Sequence, residues 1–344
     1  MFKARCAATF LALASLAAPA LAADRVTVGT VGNSSDAGFF VAMDQGYFAA
    51  EGLDVALTPF DGAQRMMAPL GQGDLDVGGG TATASLYNSA SRGIGIRIVA
   101  DRSRMETGYM FQTLMVRKAV IDSGRFKGYA DLKGLKFALV APGGSPGSAL
   151  NEAARKGGVP YDSIEKVFLP FPAQVSAYVN NAIDASLMIE PFATYLVDQG
   201  VAVRFASSED FYPGNQIGMV FFSEKFIRER RPVGERFLRA YVRALRDYND
   251  AIVDGRFTAG PRGEAIVKIL ASNLGMKEDQ IRASYVPAIS PDGKPNLDSL
   301  RKDLQFFIAQ GDVSDAKVDL DKILDLSLVD SVVKALGPYQ PKKD

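Results

Sequence analysis

The amino-acid sequence predicts an α/β protein whose strands form mainly parallel sheet, followed by a largely helical C-terminal part. Short apolar strand patterns alternate with helix patterns, and the loops between them are small, which is typical of βαβ units. The alternation forms two series, one before about residue 116 and one after about residue 129. From residue 224 to 336 the apolar residues recur at helical spacing instead.

Each strand is predicted from a short apolar or alternating run bounded by turn residues. In chain order the predicted strands are 25–31, 54–59, 75–77, 95–100, 112–117, 135–140, 166–169, 185–189, 202–206 and 217–222. The 344 residues leave room for two domains, and no low-complexity linker separates the two series.

The first 22 residues differ in composition from the rest of the chain. A charged start (Lys3 and Arg5) precedes an apolar run, and Ala20-Leu21-Ala22 is a small-x-small cleavage site. This order predicts a secretory signal peptide, 1–22, and therefore an exported, periplasmic protein. The run is too short for a transmembrane anchor. The only cysteine, Cys6, lies inside it, so the mature chain is expected to contain none.

The charge balance and the missing residue types exclude several classes of function. Lys plus Arg equals Asp plus Glu at 39 each, so no basic excess indicates a nucleic-acid partner. The sequence has no histidine, which removes the commonest general base and transition-metal ligand. We therefore expect no metal, no cofactor and no nucleic-acid partner.

Polar residues and glycines gather where the predicted strands end and helices begin. Ligands of parallel α/β sheets bind outside these strand ends, and glycine permits close backbone approach. The candidate ligand-binding residues are Asn33, Ser34, Ser35, Asp61, Gly80 and Thr81 in the first series, and Ser145, Ser148, Glu190 and Asn215 in the second. Residues 33–35, Thr81 and Ser148 could instead cap helices.

Charged residues near these loops have two interpretations each. Arg102 and Arg104 could clamp a carboxylate or sulfonate, or could pair with Asp101 and Glu106. Glu190 could face a ligand amine or could accept structural hydrogen bonds.

Aromatic residues also lie beside the candidate loops. Phe39, Phe171 and Phe192 could sandwich a flat solute, or could belong to the hydrophobic core. Four more aromatics lie nearby, at Phe40, Tyr109, Phe111 and Tyr212. This density favours an organic acid over nitrate as the ligand.

Five short motifs resemble the nitrate/sulfonate/taurine group of solute-binding proteins. They are 46–55 (GYFAAEGLDV), 71–77 (GQGDLDV), 131–134 (DLKG), 182–185 (AIDA) and 190–191 (EP), in the expected order and spacing. Asn181 stands where a glycine often precedes the AIDA motif. Each motif is weak alone, and the resemblance covers roughly residues 25–250.

The resemblance implies a type II periplasmic-binding-protein fold, with two α/β lobes joined by two crossing strands. Lobe I would comprise 23–117 and 219–344, and lobe II 118–218, with the C-terminal helices packed on lobe I. It also implies a monomer that delivers a small-molecule solute to an ABC permease in the inner membrane. The solute would be a small organic anion, and the alternative is a pyrimidine-like thiamine precursor. Enzymes related to this group depend on a histidine that this sequence lacks.

Overall fold

The computed structural model describes residues 22–342. The predicted signal peptide, 1–22, lies outside the described residues except for residue 22. Within residues 22–342, no helix combines the length and apolar character needed to cross a membrane.

The strands form two five-stranded sheets and one short hairpin within the described residues. In chain order they are β1 (Asp24–Thr30), β2 (Leu53–Pro59), β3 (Val77–Gly80), β4 (Ile96–Arg104), β5 (Gln112–Arg117), β6 (Lys136–Leu139), β7 (Glu165–Phe168), β8 (Ala185–Ile189), β9 (Ala202–Ser207), β10 (Gln216–Ser223), β11 (Ile252–Val253) and β12 (Arg256–Phe257). The first sheet has the order β2-β1-β3-β10-β4, the second β7-β6-β8-β5-β9.

Each sheet contains one strand that runs antiparallel to both of its neighbours. In the first sheet β10 runs antiparallel between β3 and β4, with Met219 opposite Gly80. In the second sheet β5 runs antiparallel between β8 and β9. The chain therefore passes between the sheets twice, through 105–111 and through 208–215.

These pairings shift both lobe boundaries predicted from the sequence. The sequence places 112–117 in lobe I, but this strand pairs with β8 and β9 of the second sheet. Residues 216–218, placed in lobe II, belong to β10 of the first sheet. Both crossing segments precede the strands at which the sequence placed them, because β5 and β10 pair with their new sheets from their first residues, Gln112 and Gln216. The finer division into lobes stays a prediction.

The helices cover the faces of both sheets. They are α1 (Ala37–Asp44), α2 (Tyr47–Ala50), α3 (Met67–Gln72), α4 (Ala84–Ser91), α5 (Lys118–Asp122), α6 (Ser145–Lys156), α7 (Phe171–Val179), α8 (Phe192–Asp198), α9 (Glu224–Asp250), α10 (Pro261–Leu274), α11 (Glu278–Ala283), α12 (Leu297–Ala309) and α13 (Ser327–Leu336). One core joins α1, α9, α10 and α13 to the first sheet, and a second places α3, α4 and α12 on its other face. The C-terminal helices thus pack on the first sheet, as the resemblance implies.

The glycine run at 78–80 lies inside β3, although the sequence pattern predicts a strand only as far as residue 77. All of β3 is buried. A Cβ on Gly80 would lie 2.5 Å from the Cβ of Ala63, and one on Gly78 would lie 3.0 Å from Leu70. Ala63 and Leu70 leave no room for side chains at these two positions, so the strand continues through glycines.

Candidate functional site

The predicted site residues lie along the facing edges of the two sheets. The carboxyl ends of β1 and β3 lie beside the start of β10, because β10 is antiparallel to β3. In the second sheet, the carboxyl ends of β6 and β8 lie beside the start of β5. The lobes touch where the Ala84 amide donates to the Gly143 carbonyl over 2.7 Å. We call the space between these edges the crevice.

The loop that follows β1 is organised by the carboxylate of Asp36. This group accepts hydrogen bonds from the amides of Gly32 (2.8 Å) and Val31 (3.1 Å), while the side chain of Asn33 accepts from the Ser35 amide at 2.9 Å. These amides are therefore already bonded, and the capping interpretation of Asn33 is correct. Ser34 and Ser35 are buried, and their hydroxyls bond to no other described residue.

Arg102 pairs with the protein itself. Its guanidinium lies 2.7 Å from the Asp36 carboxylate, and both side chains are almost completely buried. Arg104 lies nearer the surface and pairs with Glu106. Both arginines therefore form the ion pairs that the structural interpretation expects.

Three first-lobe candidates occupy different environments. Gly80 is buried inside β3, whereas Asp61 is exposed and has no partner among the described residues. Thr81 is half-buried, and its hydroxyl also lacks a partner within residues 22–342. The cap of α4 is Thr83, whose side chain accepts from the Leu86 amide. Thr81 is therefore not a cap, contrary to the alternative interpretation.

The second-lobe serines face a buried polar cluster next to α12. Tyr212 donates to the Asp303 carboxylate over 2.7 Å, and Ser145 donates to the carbonyl of Gln216 over 3.4 Å. Burial raises the pKa of Asp303 to about 7, and interactions with Tyr212, Ser148 and Ser145 partly oppose this rise. The N-cap position of α6 is Gly144, so Ser148 is not a cap. Its hydroxyl serves this contact between the lobes.

Glu190 is fully buried and bonded on both carboxylate oxygens. One oxygen accepts from Arg204 at 2.6 Å and the other from the Thr194 amide at 3.0 Å. This agrees with the structural interpretation of Glu190, because both carboxylate oxygens accept hydrogen bonds from the protein.

Asn215 is the predicted residue with the clearest unmet bonding capacity. Its side chain is completely buried at the start of β10, and neither its amide oxygen nor its amide nitrogen has a partner. Leaving such groups unpaired in a protein interior costs about 1–3 kcal/mol each, so they indicate a missing partner such as a ligand or water.

Four further buried polar atoms in or next to the second sheet also lack partners within residues 22–342, at residues that were not candidates from the sequence. They belong to Gln112, Thr113, Gln174 and Ser208. A signal existed in the sequence, because Gln112 and Thr113 are polar residues opening an otherwise apolar strand. Asn215 and these residues are neutral groups whose hydrogen-bonding capacity is unmet within the described residues.

The aromatic residues divide between the core and the crevice. Phe39 is completely buried against Tyr241, with ring centroids 5.1 Å apart, and belongs to the core. Phe171 and Phe192 stack with their centroids 6.0 Å apart and are only partly buried. Phe192 also lines a cavity of about 430 Å³ that Gly32 lines from the first lobe. The crevice therefore has an apolar side as well as a polar one.

Two α/β lobes joined by two crossing segments are the architecture of the periplasmic-binding-protein fold of the second type. Solved structures share this fold. The periplasmic nitrate-binding protein NrtA from Synechocystis PCC 6803 superposes with a TM-score of 0.72 at 15% identity, over 91% of this chain and 89% of that one. The alkanesulfonate-binding protein SsuA from Xanthomonas axonopodis pv. citri gives 0.66 at 17% identity, over 88% and 98%. Residues 20–252 match the NMT1-like family, and the chain belongs to that family.

Two further matches show the range of the family and the fold. A Brucella abortus protein, provisionally named a binding protein, is 28% identical over 213 residues, which span 61% of this chain and 62% of that protein. The desulfurization enzyme DSZB shares the fold with a TM-score of 0.60 at 16% identity, over 91% of this chain and 100% of that one. The fold alone therefore does not separate binding proteins from enzymes.

Proposed function

We propose that this protein is an exported solute-binding protein that delivers a small organic molecule to an ABC importer. The observation that carries the proposal is the buried, unpartnered side-chain amide of Asn215 between the two lobes. A solute bound in the crevice would supply the missing hydrogen bonds, and closure of the two lobes over it would exclude water. Membership of the NMT1-like family and the likeness to nitrate- and alkanesulfonate-binding proteins support this function.

The proposed solute is a small organic anion, a carboxylate or sulfonate with an apolar body. Since Arg102 and Arg104 are paired within the protein, neutral donors would hold the anionic group. The hydroxyls of Ser34 and Thr81 and the amide of Asn215 are free for this role within the described residues. Hydrogen bonds to a charged group are the stronger kind, at about 1.5–3 kcal/mol.

A pyrimidine-like heterocycle is the second candidate, and one observation favours it. The Asn215 amide offers a donor and an acceptor side by side, which matches the edge of a heterocycle. The stacked pair Phe171 and Phe192 offers a flat apolar surface nearby.

The remaining parts of the proposal concern the setting of the protein. We propose a monomer in the periplasm, exported through the signal peptide 1–22 and recognised by a permease of the inner membrane. A binding role rather than catalysis is supported by the absence of histidine from the sequence. We propose no nucleic-acid partner, since the charges balance.

The variant Asn215→Leu tests the proposal. A thermal-shift screen of the mature chain against carboxylates, sulfonates, nitrate and pyrimidines first finds a solute, which at 100 times its dissociation constant stabilises by about 2.7 kcal/mol. Replacing a buried unpaired amide with an apolar group of similar size should leave the melting temperature unchanged or higher. Affinity by calorimetry should fall about tenfold or more.

The matched control is Asn180→Leu, since Asn180 is exposed at the end of α7. If Asn215→Leu binds the identified solute as tightly as the parent and the control do, the site lies elsewhere.

A further inference from the structure

The cavity of about 430 Å³ beside the crevice has walls from both lobes. The second lobe contributes α7 and α8, and the first contributes Gly32 together with the end of α10 and the helix α11. Most of the lining is apolar, from Pro172, Val175, Phe192, Tyr195, Leu274 and Met276. This cavity is much larger than the space of about 10–15 Å³ that one water molecule needs on the same measure. We call it the side pocket.

The side pocket continues the crevice. Gly32 directly precedes the loop 33–35, and Pro191 directly follows Glu190 at the end of β8. A molecule held by the polar groups of the crevice could therefore extend into the side pocket without crossing another element. Tyr195, which lines the pocket, leaves 46% of its surface exposed.

The charges around the side pocket indicate which end of a solute it receives. Among the described residues that line it there is no lysine or arginine. The only charged lining residue is Asp198, whose carboxylate has no partner within residues 22–342. An anionic group would be repelled here and would lose its hydration without compensation. An uncharged hydrocarbon group would instead replace water on apolar surface, which is favourable.

One wall of the side pocket lies outside the part of the chain that defines the family. The match to the NMT1-like family ends at residue 252, whereas Leu274, Met276 and Ala283 come from the C-terminal helices. The residues that form this wall are therefore specific to this chain and are not part of the family match.

We propose that the side pocket is a specificity subsite that receives the uncharged hydrocarbon end of the solute, so that longer or bulkier solutes bind more tightly. This inference rests on the proposed solute-binding function. The anionic or polar end would remain among the hydroxyls and amides of the crevice. The C-terminal wall would then discriminate between solutes that the polar groups of the crevice bind with equal affinity.

The first experiment uses an uncharged probe and does not depend on the natural solute. N-phenyl-1-naphthylamine fluoresces in apolar surroundings and should titrate the mature parent protein to one equivalent. Ala283 is an exposed lining residue, so Ala283→Asp places a charge at the pocket with little risk to folding. Probe affinity should fall about tenfold or more. Val253→Asp is the control, because Val253 is 61% exposed and lies on the hairpin β11–β12.

The second experiment compares chain lengths by calorimetry, from acetate to octanoate and from methanesulfonate to octanesulfonate. In the parent, affinity should rise about fourfold per added CH₂ group that enters the pocket. In Ala283→Phe, which occupies part of the pocket, affinity for the short members should be kept and the rise with length should become smaller.

The outcomes separate the two proposals. If the probe binds the parent and Ala283→Asp equally, or if chain-length dependence is the same in parent and Ala283→Phe, the subsite is refuted. If no carboxylate or sulfonate binds but the probe does and Ala283→Asp weakens it, the proposed anionic solute fails and the apolar pocket is supported. Octanoate or octanesulfonate that binds without displacing the probe also refutes the subsite.

Discussion

The ion pair between Asp36 and Arg102 offers the sharpest test of how the crevice is built. Replacing Asp36 with asparagine keeps the shape and one acceptor oxygen for the amides of Val31 and Gly32, but leaves the Arg102 charge uncompensated. Both side chains are at most 2% exposed, so water cannot solvate the remaining charge. Breaking such a buried pair costs about 3–5 kcal/mol. That is a large part of the 5–15 kcal/mol typical of a folded protein.

Urea unfolding of the mature chain, followed by far-UV circular dichroism, measures this loss. The double variant Asp36→Asn/Arg102→Met should recover most of the stability, since it removes the uncompensated charge and keeps the acceptor oxygen for the Val31 and Gly32 amides. Lys118→Ala is the control, because the Lys118–Asp122 pair is more than half exposed and should contribute less than about 1 kcal/mol. A loss under about 1 kcal/mol in Asp36→Asn would show that Arg102 is solvated or bonded elsewhere.

Three further predictions follow from the described contacts. Burial raises the pKa of Asp303 to about 7, so the folded state keeps a proton that the unfolded chain releases above about pH 4. The free energy of unfolding should therefore fall as pH rises from 4 through 7. In Asp303→Asn this fall should be smaller, as measured by urea titrations at pH 5 and 8. An equal slope in both proteins would contradict this. Thr81→Val should weaken solute binding without changing the melting temperature, whereas Thr83→Val should lower stability by about 1 kcal/mol and keep affinity; the reverse pattern would make Thr81 structural. Mass spectrometry of the native protein should find a chain beginning near Ala23, and an intact Met1 in the soluble fraction would refute export.

The fold class could be predicted from the sequence because strand and helix periodicities are local properties. The order of the strands along the chain is confirmed, and the α/β architecture with C-terminal helices on the first sheet is confirmed as well. The crossing segments were misplaced because nothing local distinguishes a strand that stays in its sheet from one that enters another, as at 112–117.

The candidate site was less predictable, because it depends on partners that are distant in sequence. Glu190 is bonded to Arg204, and Arg102 to Asp36 across 66 residues, so neither could be removed from the candidates by inspecting its neighbours. Asn215 was a candidate because it lies in a turn. That its side-chain amide is buried without a hydrogen-bond partner depends on tertiary packing, which the local sequence does not show. A sequence pattern indicates where polar groups gather; it does not indicate which of them are already bonded.

The position of β10 in the first sheet has a consequence for how the chain folds. The second sheet comes from one continuous segment, 112–207, and can be completed as soon as that segment exists. The first sheet cannot, because β4 joins it only through β10, which emerges more than a hundred residues later. During that interval β3 is an unpaired strand edge, the kind of surface that recruits other chains. Its sequence, VGGG, has almost no side chains that could interdigitate with those of another strand. The glycines that fit the packed sheet therefore also make this unpaired edge less prone to aggregation during folding.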